Sequence, residues 1–170
     1  PLLLKLMAVC PLADLALESI LRDIRSSLLS SISELDGSSE VLRFQSALAL
    51  QCFTNEYVYS HSVREGKTLE ALQVSVERLL SDGKQPSSQS ILCLASYKAL
   101  HEYDWWNSLD TNSGIEEVYT RQVMEPQREG HLKSTIPVLE KITDAVSEKV
   151  REQYEESPYP RWVNLGLRLK

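Results

Sequence analysis

The stretch VLRFQSALALQCFTNEYVY, Val41 to Tyr59, decides the fold that this sequence predicts. Its apolar residues occur on almost every side of a helical wheel instead of along one stripe. A helix of this kind is found where other helices surround it, because no side of it is suited to water. We therefore predict that residues 41–59 form the central and most buried helix of an all-α domain.

The segments upstream carry apolar residues at three- and four-residue spacing, which predicts amphipathic helices. The first predicted helix covers residues 2–9 and stops near Pro11, and the second covers residues 12–35. The expected buried stripe of the second helix consists of Leu12, Leu15, Ala16, Ile20, Ile24, Leu28, Ile32 and Leu35.

The opposite face of the helix predicted over residues 12–35 holds charged residues and serines. We expect Glu18, Arg22 and Arg25 to lie on this face, in contact with water. Gly37 stands where a helix C-terminus often has a glycine, since glycine adopts a positive φ at little cost. We therefore expect Gly37 to terminate the helix.

Downstream, the same spacing predicts further helices, so that the domain has about six to eight in all. Ser39 is the expected N-cap of the central helix. Within REGKTLEALQVSVERLLSDGK, Thr68 is the expected cap and Gly83 the expected terminator. Pro86 and the serines after it predict the start of the next helix.

The last helical pattern begins at Pro137 and ends before Pro158, since proline cannot continue a helix. Beyond Trp162 apolar and polar residues alternate, as in a half-buried strand. We therefore divide the chain into a helical domain, residues 1–157, and an extended tail, residues 158–170, which leads toward a further domain.

Charge and hydropathy argue against two classes of partner. The net charge is −6, and Lys and Arg are scattered, so no basic surface for nucleic acid is predicted. No apolar run approaches the roughly 20 residues that span a bilayer. We expect no nucleic-acid and no membrane partner.

The cysteines Cys10, Cys52 and Cys93 lie far apart in apolar surroundings. Their odd number and irregular spacing do not predict a disulfide framework or a zinc site. We expect buried, reduced thiols, which favours a cytoplasmic location. The histidines show no metal-ligating spacing, so no metal site is predicted.

Motifs for catalysis are not found in the sequence. It contains no G-x-S-x-G nucleophile turn and no G-x-G loop that would hold an adenosyl or dinucleotide cofactor. We therefore predict that this chain is not an enzyme and binds no cofactor by itself.

The segment TNEYVY places polar residues in a helix predicted to be buried. Because a buried acid is costly unless paired, we expect Glu56 to be buried or half-buried and paired with a loop or an arginine (Arg43, Arg64 or Arg121). The alternative is a substrate-side role for Asn55, Glu56 and Tyr57.

Two blocks of sequence carry a resemblance to a known family. They are QCFTNEYV, Gln51 to Val58, and QYEESPYPRW, Gln153 to Trp162. The sequence that includes them, roughly residues 41–163, resembles the helical region before the class I S-adenosylmethionine-dependent methyltransferase domain of bacterial tetratricopeptide-repeat proteins. The glycine-rich cofactor loop of that domain and clear tetratricopeptide repeats are not found in this sequence.

The resemblance implies a non-catalytic helical module that positions a substrate or partner, or covers the active-site mouth. S-adenosylmethionine is then the cofactor of the full-length protein, and the main partner is the methyltransferase domain downstream in the same polypeptide. The residues expected at that interface are Tyr154, Pro158, Tyr159, Pro160, Arg161 and Trp162.

Two alternatives remain open from the residues. The first alternative to a methyltransferase-associated module is a self-standing interaction or oligomerisation module, with a protein substrate or a second copy as its partner. SPYPRW either meets a downstream domain or folds back on its own helices. When the downstream domain is missing, we expect the tail, residues 158–170, either to pack less well than the rest of the chain or to pair with a neighbouring chain.

Overall fold

A computed structural model describes residues 2–137 and 144–156. Within these ranges the chain forms helices and no strand, which confirms the all-α prediction. A π-helical segment, Thr120–Met124, joins α6 to α7, and 3₁₀ turns occur at Leu100–Glu102 and Trp106–Ser108. The α-helices are α1 (Leu2–Val9), α2 (Leu15–Ser30), α3 (Ser39–Thr54), α4 (Val63–Ser81), α5 (Ser88–Ala95), α6 (Glu116–Tyr119), α7 (Glu125–Thr135) and α8 (Ala145–Glu156).

The chain divides into two compact units, residues 1–128 and 129–170. This division falls before the predicted boundary between residues 157 and 158. That boundary, the extended tail and the strand predicted beyond Trp162 all lie outside the described residues.

Helix α3 is the centre of the first unit, as predicted. Residues 45–54 are all buried, and the helix contacts α1, α5 and α6. It separates two apolar clusters, one containing Leu50 and the other Leu48. Each cluster covers a different side of α3, which explains why this helix is apolar almost all round.

The buried face of α2 differs from the predicted stripe. Leu15 and Ile20 are 85% and 54% exposed, whereas Leu21 and Leu29 are buried. Arg25, expected in water, is only 2% exposed. The prediction was wrong because it selected a helix face by apolar count alone. A buried arginine is stable where carbonyl oxygens accept hydrogen bonds from its guanidinium.

The end of α2 was also predicted wrongly. The helix stops at Ser30, and the N–H of Ser31 donates to the carbonyl of Ser27. Among the described glycines only Gly83 has a positive φ, so Gly37 does not terminate a helix in the expected conformation.

Serines cap the N-termini of α3 and α4. Ser38, one residue before the predicted Ser39, caps α3. Helix α4 starts several residues before the predicted Thr68, because Ser62 and Glu65 form a capping box in which each side chain accepts the other's backbone N–H. The sequence S-V-R-E carries that signal, and the prediction missed it.

Gly83 terminates α4 as predicted. Its φ is 71°, and its N–H donates to Leu80 O at 3.0 Å. The N–H of Lys84 donates to Leu79 O at 2.9 Å. These two bonds define a Schellman motif with glycine at the left-handed position.

Gln51 ties α3 to the connection between α1 and α2. With its amide oriented to satisfy both of its polar atoms, it donates to Met7 O and Cys10 O at 3.1 Å and accepts from Leu12 N at 3.1 Å. The side chain is fully buried. Gln51, the first residue of the QCFTNEYV block, therefore stabilises the fold.

Gln122, in the π-helical segment, ties together the opposite side of the unit. Its side chain accepts from Leu100 N at 3.1 Å and donates to Ala95 O at 3.0 Å and Ala49 O at 3.3 Å. A buried amide that satisfies three backbone groups holds the neighbouring segments in one arrangement. Nothing in the sequence pattern predicted this role.

Candidate functional site

The loop from Asn55 to Ser62, here called the 55–62 loop, leaves α3 in an unusual backbone conformation. The N–H of Tyr57 donates to Cys52 O at 2.8 Å, and that of Glu56 donates to Phe53 O at 3.2 Å. Glu56 and Tyr57 have φ values of 59° and 56°. The loop therefore begins with a Schellman motif in which glutamate stands at the left-handed position.

The same motif ends α4, where the left-handed residue is Gly83. The left-handed conformation costs a residue with a side chain roughly 1–2 kcal/mol, whereas glycine adopts it without this cost. At the end of α3 two consecutive non-glycine residues adopt it. Backbone strain of this kind persists where the surrounding structure enforces it, and it occurs most often at functional sites.

Arg25 of α2 lies beneath the loop and binds its backbone. One terminal nitrogen, Nη2, donates to Tyr59 O at 3.0 Å and Ser60 O at 3.1 Å. The other, Nη1, donates to Ser96 O at 3.3 Å, just after α5. A single guanidinium thus fixes the loop against two helices.

The guanidinium of Arg25 forms cation–π contacts with two aromatic rings. Its guanidinium carbon lies 4.1 Å from the centre of the Tyr97 ring and 5.6 Å from that of Tyr59. Among the described residues the ion pairs are Arg22–Asp23 and Arg121–Glu125, so no carboxylate contacts Arg25 directly. The cation–π contacts and carbonyl oxygens stabilise the buried charge in its place.

Glu65 completes this arrangement at the start of α4. The Tyr97 hydroxyl donates to its Oε1 at 3.0 Å, and Ser62 N donates to its Oε2 at 2.9 Å. Burial opposes ionisation of Glu65, but these hydrogen bonds and the positive charge of Arg25 outweigh it and lower the pKa. Burial raises the pKa of Tyr97, so this phenol stays protonated and donates at neutral pH.

The predicted substrate-side residues lie at the start of the 55–62 loop, with different exposures. Asn55 and Tyr57 are half-buried, and the Tyr57 hydroxyl donates to Ala95 O at 3.3 Å. Glu56 is exposed, so its predicted burial was wrong. The reason is that α3 ends at Thr54, before the helix reaches Glu56.

The exposed part of the loop combines apolar and polar groups. Val58 is 67% exposed although it lies between two residues whose side chains contact the core. His61 is exposed, and its ring packs edge-on to Tyr97 with 6.0 Å between centroids. The loop therefore presents Glu56, Val58 and His61 to solvent from a backbone that Arg25 holds in place.

The chemistry near Arg25 does not favour nucleophilic catalysis. Burial raises the pKa of Cys52 to about 11 and that of Cys93 to about 12, although the charge of Arg25 acts in the opposite direction. Both cysteines are free and buried, which agrees with the predicted packing role, whereas Cys10 is partly exposed. Thiols with such pKa values are protonated and unreactive at neutral pH.

The residues predicted at a domain interface are largely outside the described part of the chain. Pro158, Tyr159, Pro160, Arg161 and Trp162 all lie there. Tyr154 is described, and it is exposed on α8.

Arg25 is the residue of the candidate site that the sequence prediction missed. A signal for it was present, since Leu17, Leu21 and Leu29 define a second helical stripe that includes the position of Arg25. The prediction selected the neighbouring stripe, which contains more apolar residues but faces solvent near its start.

No family model, curated protein or solved structure matches this chain. The resemblance to the methyltransferase-associated region therefore stays a prediction. Among the described residues, no three or more His, Cys, Asp or Glu side chains form a group suited to a metal ion. In the same part of the chain, no helix has both the length and the apolar content needed to cross a membrane.

Proposed function

We propose that this chain is a non-catalytic helical module that uses the 55–62 loop to dock on a class I methyltransferase domain of the same polypeptide. In this role the module positions the substrate or partner, or covers the mouth of the active site. S-adenosylmethionine binds to the methyltransferase domain and not to this chain.

The observation that carries the proposal is the strained, exposed loop held by a buried arginine. The Schellman motif requires a left-handed residue at the position of Glu56, but a glycine would adopt that conformation at lower cost. The end of α3 therefore explains neither the glutamate nor the second left-handed residue, Tyr57. A rigid loop binds a partner with little loss of conformational entropy. The resemblance points to the same segment, because the block QCFTNEYV includes the strained residues.

A specific observation also favours the alternative, an association module. On α8, Val146, Val150 and Tyr154 are exposed at four-residue spacing, so they form an apolar stripe along one helix face. Exposed stripes of this kind commonly mediate protein association. The partner of such a stripe is a second copy of the chain or another protein.

Hydrogen exchange of the chain, with and without the methyltransferase domain that we propose as its partner, tests the proposal. We expect the amides of residues 58–62 to become protected when the domain is added, and those of α4 to stay unchanged. Calorimetry should give no heat for S-adenosylmethionine with this chain and a one-to-one isotherm with the domain. Micromolar cofactor binding to the chain alone, or protection that spares the loop, would contradict the proposal.

Light scattering separates the two candidates. If α8 drives self-association, Val150→Asp should return a dimeric chain to the monomer. Ser147→Asp, which adds the same charge to an exposed position of the same helix, should leave the dimer intact. A wild-type chain that is monomeric at all accessible concentrations excludes the self-associating form of the alternative.

A further inference from the structure

A second site lies on the first unit, in a pocket between α1, α3 and the segment before α6. Its volume is about 560 Å³, within the usual range for small-molecule sites. We propose that this pocket binds a small organic anion with an apolar body and one negatively charged head group. The inference does not depend on the docking role proposed for the 55–62 loop.

Two cationic side chains line the pocket. Lys5 comes from α1 and Arg43 from α3. Among the described residues neither forms an ion pair or a side-chain hydrogen bond, whereas Arg25 and Arg121 are both bound to other groups. Both cations are therefore available to a ligand.

A single acid, Glu117 of α6, also lines the pocket. It has no ion-pair partner in the described part of the chain, so it does not neutralise either cation through direct contact. The formal charge of the lining is therefore +1. A head group with one negative charge matches this balance, and Glu117 disfavours a more highly charged anion.

The remaining surface of the pocket is mixed. Leu4, Ala8, Leu42 and Ala47 supply apolar contact area. Ser46, a residue only 9% exposed, also lines the pocket, and within the described residues its hydroxyl has no hydrogen-bond partner. An apolar wall with a few polar groups is typical of sites that bind an organic molecule and not an inorganic ion.

Three of the lining residues, Ser88, Asn112 and Gly114, form a local network. Asn112 Oδ1 accepts from Gly114 N at 2.8 Å and from Ser88 Oγ at 3.1 Å. A Cβ atom at Gly114 would lie 2.9 Å from Ser88 Oγ, so a side chain there forces this part of the pocket wall to shift. The close approach of these segments requires glycine at position 114 and defines the shape of this part of the pocket wall.

Two fluorescent probes test the proposal on the 170-residue chain. The first is 8-anilinonaphthalene-1-sulfonate, which carries an apolar body and one negative charge. The second is N-phenyl-1-naphthylamine, which has the same ring system without the sulfonate. We expect saturable binding of the anion, and weaker binding of the neutral probe.

Matched variants locate the charge effect. Arg43→Gln and Lys5→Gln should each weaken binding of the anionic probe about threefold to fivefold, and Glu117→Gln should strengthen it by a similar factor. Arg64→Gln, an exposed arginine outside the pocket, should leave the affinity unchanged. None of these changes should alter affinity for the neutral probe, and circular dichroism checks that each variant keeps its helix content.

Three outcomes would overturn the inference. In the first, the wild type and Arg43→Gln bind the anionic probe with equal affinity. In the second, Arg43→Gln loses affinity for the anionic and the neutral probe by the same factor. In the third, the wild type shows no saturable binding of the anionic probe. Gly114→Ala provides an independent variant with unchanged charge, and it should weaken binding of both probes because the added methyl group shifts the pocket wall.

Discussion

Replacing Arg25 by methionine tests whether this residue holds the 55–62 loop. Methionine preserves most of the side-chain volume but removes every hydrogen-bond donor. Tyr59 O and Ser96 O then lose their donors in residues that are 6% and 3% exposed. Each unsatisfied buried carbonyl costs about 1–3 kcal/mol, while Ser60 O belongs to an exposed residue that water reaches.

The net expected loss is about 3 kcal/mol, because removing a buried charge without a carboxylate partner offsets part of the cost. For a chain of this size it corresponds to a fall in melting temperature of roughly 6–12 °C. Urea denaturation followed by circular dichroism measures the change. Arg22→Met, at an exposed position of the same helix, is the matched control and should change stability by less than about 0.5 kcal/mol. An equal, small effect of both substitutions would refute the role assigned to Arg25.

Other substitutions give further expected outcomes. Glu56→Gly should stabilise the chain by about 0.5–1 kcal/mol in urea denaturation, because glycine relieves the left-handed strain; Gly83→Ala should destabilise it by about 1 kcal/mol for the opposite reason. Stability changes of the same sign for these two substitutions would contradict the strain argument. Because the folded pKa of Glu65 lies below its ordinary value of 4.5, its stabilisation is present above pH 4.5 and lost as pH falls through the folded pKa. The stability difference between wild type and Glu65→Gln should therefore be present at pH 7 and decline below pH 4.5; a difference independent of pH would exclude the carboxylate's role. Cys52 and Cys93 should resist a thiol reagent at pH 8 in the folded chain and react fully in urea, and rapid native labelling would disprove their burial.

The sequence was sufficient to predict the helical class and the central position of α3. Apolar residues on all sides of a helix have only one stable environment, the interior. Glycine at the end of α4 was equally predictable, since Gly83 follows a periodic segment at the expected position. These features depend on local chemistry that one segment carries by itself.

The candidate site was less predictable because it depends on contacts between distant segments. Arg25 binds carbonyls that lie 34, 35 and 71 positions away in sequence. Backbone carbonyls leave no mark on the amino-acid pattern, so an arginine beside an apolar stripe looks like a surface residue. The exposure of Glu56 was missed for a related reason, since the sequence offers no glycine to indicate where α3 ends.

The most direct test of the proposed docking role is calorimetric binding of this chain to the methyltransferase domain proposed as its partner, expressed separately. Val58 and Val74 are 67% and 62% exposed, so aspartate at either position adds a charge to a similar surface site. Val58 lies on the 55–62 loop and Val74 on α4. If the loop docks on the domain, Val58→Asp should weaken binding at least tenfold, by about 1.4 kcal/mol or more, and Val74→Asp should leave it unchanged. Equal affinities of the wild type and Val58→Asp for the domain would contradict the proposed docking role.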